Sequence, residues 1–407
     1  MSNASNPSIP VATPSFLAVG TAGLLALALA MGIGRFAFTP MLALMLRAGS
    51  TDVAAGGWLA AANYAGYLVG ALTTARLPLS PQRIGLAALA VIVLSTAAMG
   101  WTASLPIWLV LRFAAGVASA WVLISTSVWC LAWLARLGRP SGAGILYAGV
   151  GAGIAVAGLY CWRAGAAEVA PDRLWLQLGA LSLVGFAVVA ALMPRDAAGG
   201  AAPAATPTAT ATAAPAPSAG LPRGLVISYG MLGFGYILPA TFLPVLARAV
   251  VDDPAVFGAA WPVFGAAAAV STLLAGALFS QLSRRDLLAG SHVLMALGCL
   301  LPVLHLSAFT VLAAALLVGG TFVVATMAGM QEARAGAAGD PTRALGRMTA
   351  AFAIGQMIGP MLSSVLSTRT HGFGGLFIAL AAGAVALLGS AVWLAFGTNR
   401  VPSRERT

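Results

Sequence analysis

The chain has 407 residues, of which 60% are hydrophobic and only 8% charged, with a mean hydropathy of +0.94, against roughly a quarter charged for a soluble domain. That composition excludes a soluble globular enzyme or binding module and calls for lipid as the surrounding solvent. A net charge of +11 would point to nucleic acid in a soluble protein. Here all 21 basic residues are arginine, and their placement reads as a topology signal instead.

In chain order, residues 1–15 read as a tail ahead of an apolar run at 16–46. That run is longer than the roughly 7 to 15 residues of a signal-peptide core and has no basic segment before it, so it is expected to persist as a membrane helix. Runs long enough to span a bilayer follow at 53–75, 84–101, 106–134, 142–162 and 174–193. A second set falls at 224–248, 256–282, 287–306, 309–331, 345–367 and 374–396, before a short tail at 397–407. Between the sets, Arg195–Arg223 ("RDAAGGAAPAATPTATATAAPAPSAGLPR") consists mostly of small residues and proline, too few apolar side chains to bury a core. It is expected to be a disordered linker joining two six-helix halves, 16–194 and 224–396. The fold class expected is an all-α polytopic membrane protein with twelve transmembrane helices.

If residue 1 lies in the cytoplasm, fourteen arginines fall on the inside and five (Arg47, Arg163, Arg173, Arg248 and Arg369) on the outside. The positive-inside rule then places both termini and the linker in the cytoplasm. Cys130, Cys161 and Cys299 lie in apolar runs, and an odd count there argues against a disulfide framework. The absence of lysine, with richness in alanine, arginine and glycine, suggests a bacterial source with a GC-rich genome, and hence an inner membrane.

An internal repeat ties the two sets together. "MGIGRFAFTPMLALMLRA" from Met31 aligns with "LGFGYILPATFLPVLARA" from Leu232, placing Gly32 on Gly233, Gly34 on Gly235 and Arg47 on Arg248. Trp58 then falls opposite Trp261, and Gly116 opposite Gly319 after a slip of two residues.

Two parallel six-helix repeats joined by an internal linker resemble the major facilitator superfamily from end to end. "LRFAAGVASA", Leu111–Ala120, is similar to the family's arginine-and-glycine motif in span four. "GALTTARLPLSPQR", Gly70–Arg83, occupies the place of its glycine-and-basic loop without the acidic residue. "GVGAGIAVAG" in span five lacks the Gly-Pro pair of the antiporter motif, whereas "GQMIGP", Gly355–Pro360, has one. More narrowly, "GIGRFAFTP", "WLAAANYAGYLVGAL", "GFGYILPATFLP" and "VATMAGMQEAR" resemble the YbfB/YjiJ branch. The resemblance implies a secondary transporter that rocks two halves about a midplane site lined by spans one, four, seven and ten. It also implies proton coupling, for which Arg112 is the one motif residue.

Arg35 lies twelve positions before Arg47, about 18 Å along a helix, and an arginine at mid-bilayer costs roughly 2.5 to 3.5 kcal/mol unless partnered. Arg112 lies six residues after Pro106 in span four. Two roles are open to each: binding an anionic group through the planar fork, or capping backbone carbonyls at a kink or pairing with a tyrosine. Pro40 is expected to kink span one beside the site. Tyr229 and Tyr236 share a face of span seven, and Tyr236 is the repeat partner of Arg35. The two tyrosines are candidates for holding an organic solute against the arginine, or for ordinary packing.

Asn63, Tyr64, Tyr67 and Gln356 are polar positions at membrane depth, read chiefly as hydrogen-bonding helix to helix. No acidic residue falls at mid-membrane. Glu332, at the inner end of span ten, is expected to join Arg334, Arg284 and Arg285 in an inner-gate ion network or to serve coupling. His292, His305 and His371 have no metal-ligand spacing and are expected near interfaces. No catalytic motif, metal site or cofactor site is expected. The expected function is alternating-access transport of a small organic solute, anionic if Arg35 contacts it, by a monomer in the bilayer coupled to protons. An exporter of apolar drugs and a non-transporting receptor on the same fold are the alternatives.

Overall fold

The computed structural model describes residues 14–193, 221–250, 260–278, 281–337, 339–367, 369–370 and 373–397. The expected linker, apart from its last three residues, and most of both tails lie outside them, as do Asp196, Asp252, Asp253, His371 and Glu405. The described residues form twelve long helices and no strand. They are α1 (Phe16–Arg47), α2 (Val53–Thr73), α3 (Pro81–Ala98), α4 (Leu105–Arg136), α5 (Ala143–Ala166) and α6 (Pro171–Leu192). There follow α7 (Arg223–Arg248), α8 (Ala260–Leu278), α9 (Arg284–Leu304), α10 (Ala308–Ala335), α11 (Pro341–Ser367) and α12 (Gly374–Phe396). Eleven are long and apolar enough to cross a bilayer. α2, of 21 residues, is less apolar because it carries Asn63, Tyr64 and Tyr67.

Local chemistry sets the helix ends. Ser15, Asp52 and Ser80 accept from the amides of Ala18, Ala55 and Arg83 at the starts of α1, α2 and α3, satisfying donors that have no partner within the helix. α4 ends at Gly138, whose φ of 65° lets Arg139 N–H return to Leu134 O at 2.9 Å, a closure that favours glycine.

Small residues set the helix contacts, as expected where lipid removes the hydrophobic drive between helices and close van der Waals packing replaces it. A Cβ at Gly32 would collide with the backbone of Gly153 in α5, and one at Gly233 with Phe352 O in α11. These two glycines are partners in the sequence repeat, and each meets the fifth helix of its own set. Gly116 likewise faces the backbone of α2, and its partner Gly319 that of α8. Between the two sets, Gly151 and Gly265 let α5 and α8 touch along their backbones, and Gly346 of α11 approaches Ala71 O of α2. The three cysteines are free and buried.

α1 is not a regular helix. From Ala28 to Phe36 it widens into a π-type turn, in which Ala37 N–H bonds Gly32 O five residues back at 2.7 Å. Such widened turns mark strain or function in an otherwise α-helical run. The α register resumes only around Pro40, where Met41 N–H bonds Ala37 O. Pro40 has no N–H to offer the preceding turn, so carbonyls there need other donors.

His292 departs from expectation. It is completely buried within α9, and its Nδ1 lies 3.0 Å from the Ser390 hydroxyl of α12. α9 packs lengthwise against α12, which covers the histidine. His305 does lie exposed at the end of α9.

Candidate functional site

The widened turn of α1 presents Arg35 to the interface between the two sets of helices. The residue is 4% exposed. One terminal nitrogen, Nη2, donates to Gln356 Oε1 of α11 at 2.7 Å, and the guanidinium carbon stands 3.9 Å from the centre of the Tyr67 ring of α2. Tyr64 and Phe36 flank it at 5.7 and 5.3 Å. A cation over an aromatic face is stabilised by the ring quadrupole, and the Tyr67 side chain also interacts with the guanidinium through its hydroxyl. Arg35 Nε and Nη1 have no hydrogen-bond partner.

Two neighbours are in the same condition. Gln356 Nε2 is buried without an acceptor, and the Tyr236 hydroxyl, on the equivalent turn of α7, faces Gln356 without reaching hydrogen-bond geometry. Buried polar groups are ordinarily paired. Four unpaired atoms on three fully or nearly buried side chains thus lie together at one interface, and Nε of the neighbouring Arg112 is unpaired as well.

Two roles were open to Arg112, and the structure places it beside Arg35 in the geometry of the second, the capping of backbone carbonyls at a kink. Its Nη1 and Nη2 donate to Gly34 O and Arg35 O at 3.2 and 3.5 Å, and it lies over the Phe38 ring at 4.3 Å. Both carbonyls lie in the widened turn of α1, so Arg112 ties α4 to that turn next to Arg35. Asn63 donates to Arg112 O at 3.0 Å, fixing α4 against α2.

Beside this cluster lies a cavity of about 20 Å³, lined among others by Met31, Phe36, Tyr67, Leu123, Tyr229, Tyr236, Phe322 and Phe352. Its size is that of a single water. Tyr229 and Tyr236, seven residues apart, both line it. A continuous run of rings passes the cavity, with Phe322, Tyr236, Phe352 and Tyr229 lining it: Trp261–Phe264, Phe264–Phe322, Phe322–Tyr236, Tyr236–Phe352 and Phe352–Tyr229 have centroids 4.9 to 5.6 Å apart. Phe36 of α1 meets Phe322 edge-on, at 6.3 Å and 75°.

A wider vestibule of about 410 Å³ opens nearer the helix ends, with Leu131, Leu134, Gln331, Arg284 and Arg334 in its lining. Beside it, Glu332 accepts from Arg285 Nε at 2.9 Å and lies 3.9 Å from Arg284. Arg334 stands apart from this network: half-buried, it lines the vestibule, and no ion pair joins it to Glu332 among the described residues. Adjacent side chains on α10, Met330 and Gln331, border the cavity and the vestibule respectively.

Sequence reasoning singled out Arg35, Arg112, Tyr229 and Tyr236, and read Gln356 and Tyr67 chiefly as helix contacts. It missed Phe36, Trp261, Phe264, Phe322 and Phe352. A buried phenylalanine in an apolar helix carries no sequence signal; Trp261 alone had one, through its repeat partner Trp58, yet Trp58 is largely exposed.

Residues 27–394 match the family described as "Uncharacterised MFS-type transporter YbfB". The chain belongs to this family. It is thus a multi-pass membrane protein of the major facilitator type, with a transporter role in general, and the family's span runs from the widened turn of α1 through the last turns of α12. No curated protein matches the chain.

Proposed function

We propose that this protein is a secondary carrier that moves a small organic anion by alternating access, as a monomer in a bacterial inner membrane with both termini in the cytoplasm. The observation that carries the reading is Arg35: a nearly buried cation at the interface of the two helix sets, with Nε and Nη1 unpaired. Among the described residues no carboxylate lies at this depth; Asp52, Glu168, Asp172, Asp286, Glu332 and Asp340 all sit at helix ends or in connections. An intramembrane cation without an internal counter-ion is by default a functional group, and an anion supplied from outside completes it.

Arg35 and Tyr236 occupy equivalent turns of α1 and α7, so rocking of one set against the other changes the shape of the space between them. Separation near Met330 and Leu131 would join the cavity to the vestibule, and the Glu332 ion pairs with Arg284 and Arg285 brace that end. A proton is the proposed coupling ion on the superfamily's pattern, without a titrating carboxylate at the site to receive it. The Arg112 contacts make it a positioning residue for Arg35.

The apolar lining of the cavity favours one second reading, export of apolar drugs. Flux into proteoliposomes separates the two. Uptake of labelled small carboxylates that is lost in Arg35→Ala, with membrane insertion intact, supports the anion carrier. Flux of apolar cations that is unchanged in Arg35→Ala, without carboxylate flux, supports the exporter.

A further inference from the structure

We infer that the ligand class of this site is an aromatic monocarboxylate. The inference rests on the reading of Arg35 as an anion anchor and adds the body attached to the anion.

Valence comes first. Arg35 offers unpaired donors to the interface, whereas the donors of Arg112 that bond engage backbone carbonyls. One carboxylate neutralises Arg35; Arg112 beside it, with both Nη groups engaged by carbonyls, keeps only Nε unpaired, so a second carboxylate would meet a single donor there. Polarity comes second. The Thr326 and Thr349 hydroxyls on the cavity wall donate to Phe322 O and Leu345 O of their own helices, each at 2.8 Å, so their protons are already engaged. Beyond the Tyr67, Tyr229 and Tyr236 hydroxyls and these two threonines, the lining offers no polar side chain to the several hydroxyls of a sugar, and the ammonium of an amino acid would find no carboxylate at this depth among the described residues.

Shape comes third. The wall carries three rings in near-parallel array, 12° between Tyr236 and Phe322 and 17° between Tyr236 and Phe352, with Tyr229 tilted 41° from Phe352 at the end of the run. Phe36 closes on that array edge-on from the other helix set. A flat ring entering as the sets part meets the same edges and faces that Phe36 now meets, with geometry that favours aromatic pairs. A puckered aliphatic ring of equal volume does not.

The test uses the purified full-length protein and four probes: benzoate, cyclohexanecarboxylate as the saturated counterpart, benzamide as the neutral one and terephthalate as the dianion. Equilibrium binding should be at least fivefold tighter for benzoate than for each of the others. Any smaller preference overturns the inference. If benzoate and cyclohexanecarboxylate bind alike and Arg35→Gln loses both, the aromatic assignment falls while the anion anchor stands. If no carboxylate binds the wild-type protein, both fall. Phe322→Leu should lower benzoate affinity at least fivefold and leave cyclohexanecarboxylate unchanged; equal loss of both also overturns the aromatic assignment. The wild-type comparison does not depend on how any variant folds.

Discussion

The Arg35 guanidinium of α1 donates to the Gln356 side chain of α11 at 2.7 Å, a charge-assisted bond between the two helix sets that leaves the rest of the fork without acceptors. A neutral amide is a weak partner for a buried cation, because it relieves one N–H and none of the charge. The first helix is therefore joined to the eleventh in a way that an arriving anion can strengthen or replace.

Gln356→Glu should supply that anion internally. The new carboxylate pairs with Arg35, and a hydrogen bond to a charged group contributes about 1.5–3 kcal/mol. Thermal unfolding should move upward, added carboxylates should produce no further shift, and flux should fall at least tenfold. Retained flux with unchanged ligand response would show that Gln356 stands outside the pathway.

Arg112→Ala should do the reverse. It strips the Gly34 and Arg35 carbonyls of their donor, and a buried polar group left unpaired costs about 1–3 kcal/mol. Stability should drop, and anion affinity with it, because the turn no longer aims Arg35. Arg112→Lys should recover part of the stability, since a single ammonium can reach one carbonyl but not span two. Paired measurements of unfolding and binding on both variants check this.

How much of this was legible in sequence differs by residue. The twelve helices were readable because lipid demands long apolar runs, and Arg35 stood out because a lone charge in such a run is expensive. Arg112 carried the same signal and a different outcome: its carbonyl partners come from another helix, and only the packing of α4 against the π-type turn brings them together. The turn itself was half-visible, in Gly32, Gly34 and Pro40, but the five-residue hydrogen bond is a backbone fact. The run of rings was invisible, since Phe264, Phe322 and Phe352 sit on three segments with no common period. His292 misled because its distance from the helix end said nothing of Ser390 on α12.

Gly32→Ala tests the close approach of α1 and α5. Its Cβ would strike the Gly153 backbone, and forcing extra volume into a packed contact costs typically about 1–3 kcal/mol. The variant should unfold at lower temperature. Gly290→Ala, where nothing lies within 4 Å of the added methyl, should show no loss of stability and serves as the comparison.

Glu332→Gln removes the partner of Arg285 and Arg284 at the vestibule. Its side chain is 22% exposed, so the stability change should stay within about 1 kcal/mol, as for partly solvated pairs. If the pair braces the closed end, a cysteine introduced at Gln331 should label faster in Glu332→Gln than beside the intact pair. Equal labelling rates would remove Glu332 from any gating role.

The most direct measurement is a thermal-shift screen of the purified protein against small carboxylates, phosphate, sugars and cationic drugs, run beside Arg35→Gln. A ligand that binds the folded state raises its apparent stability. The account predicts an upward shift with monocarboxylates in the wild-type protein that disappears in the variant. Equal shifts in both proteins, or shifts with cationic drugs alone, would contradict it.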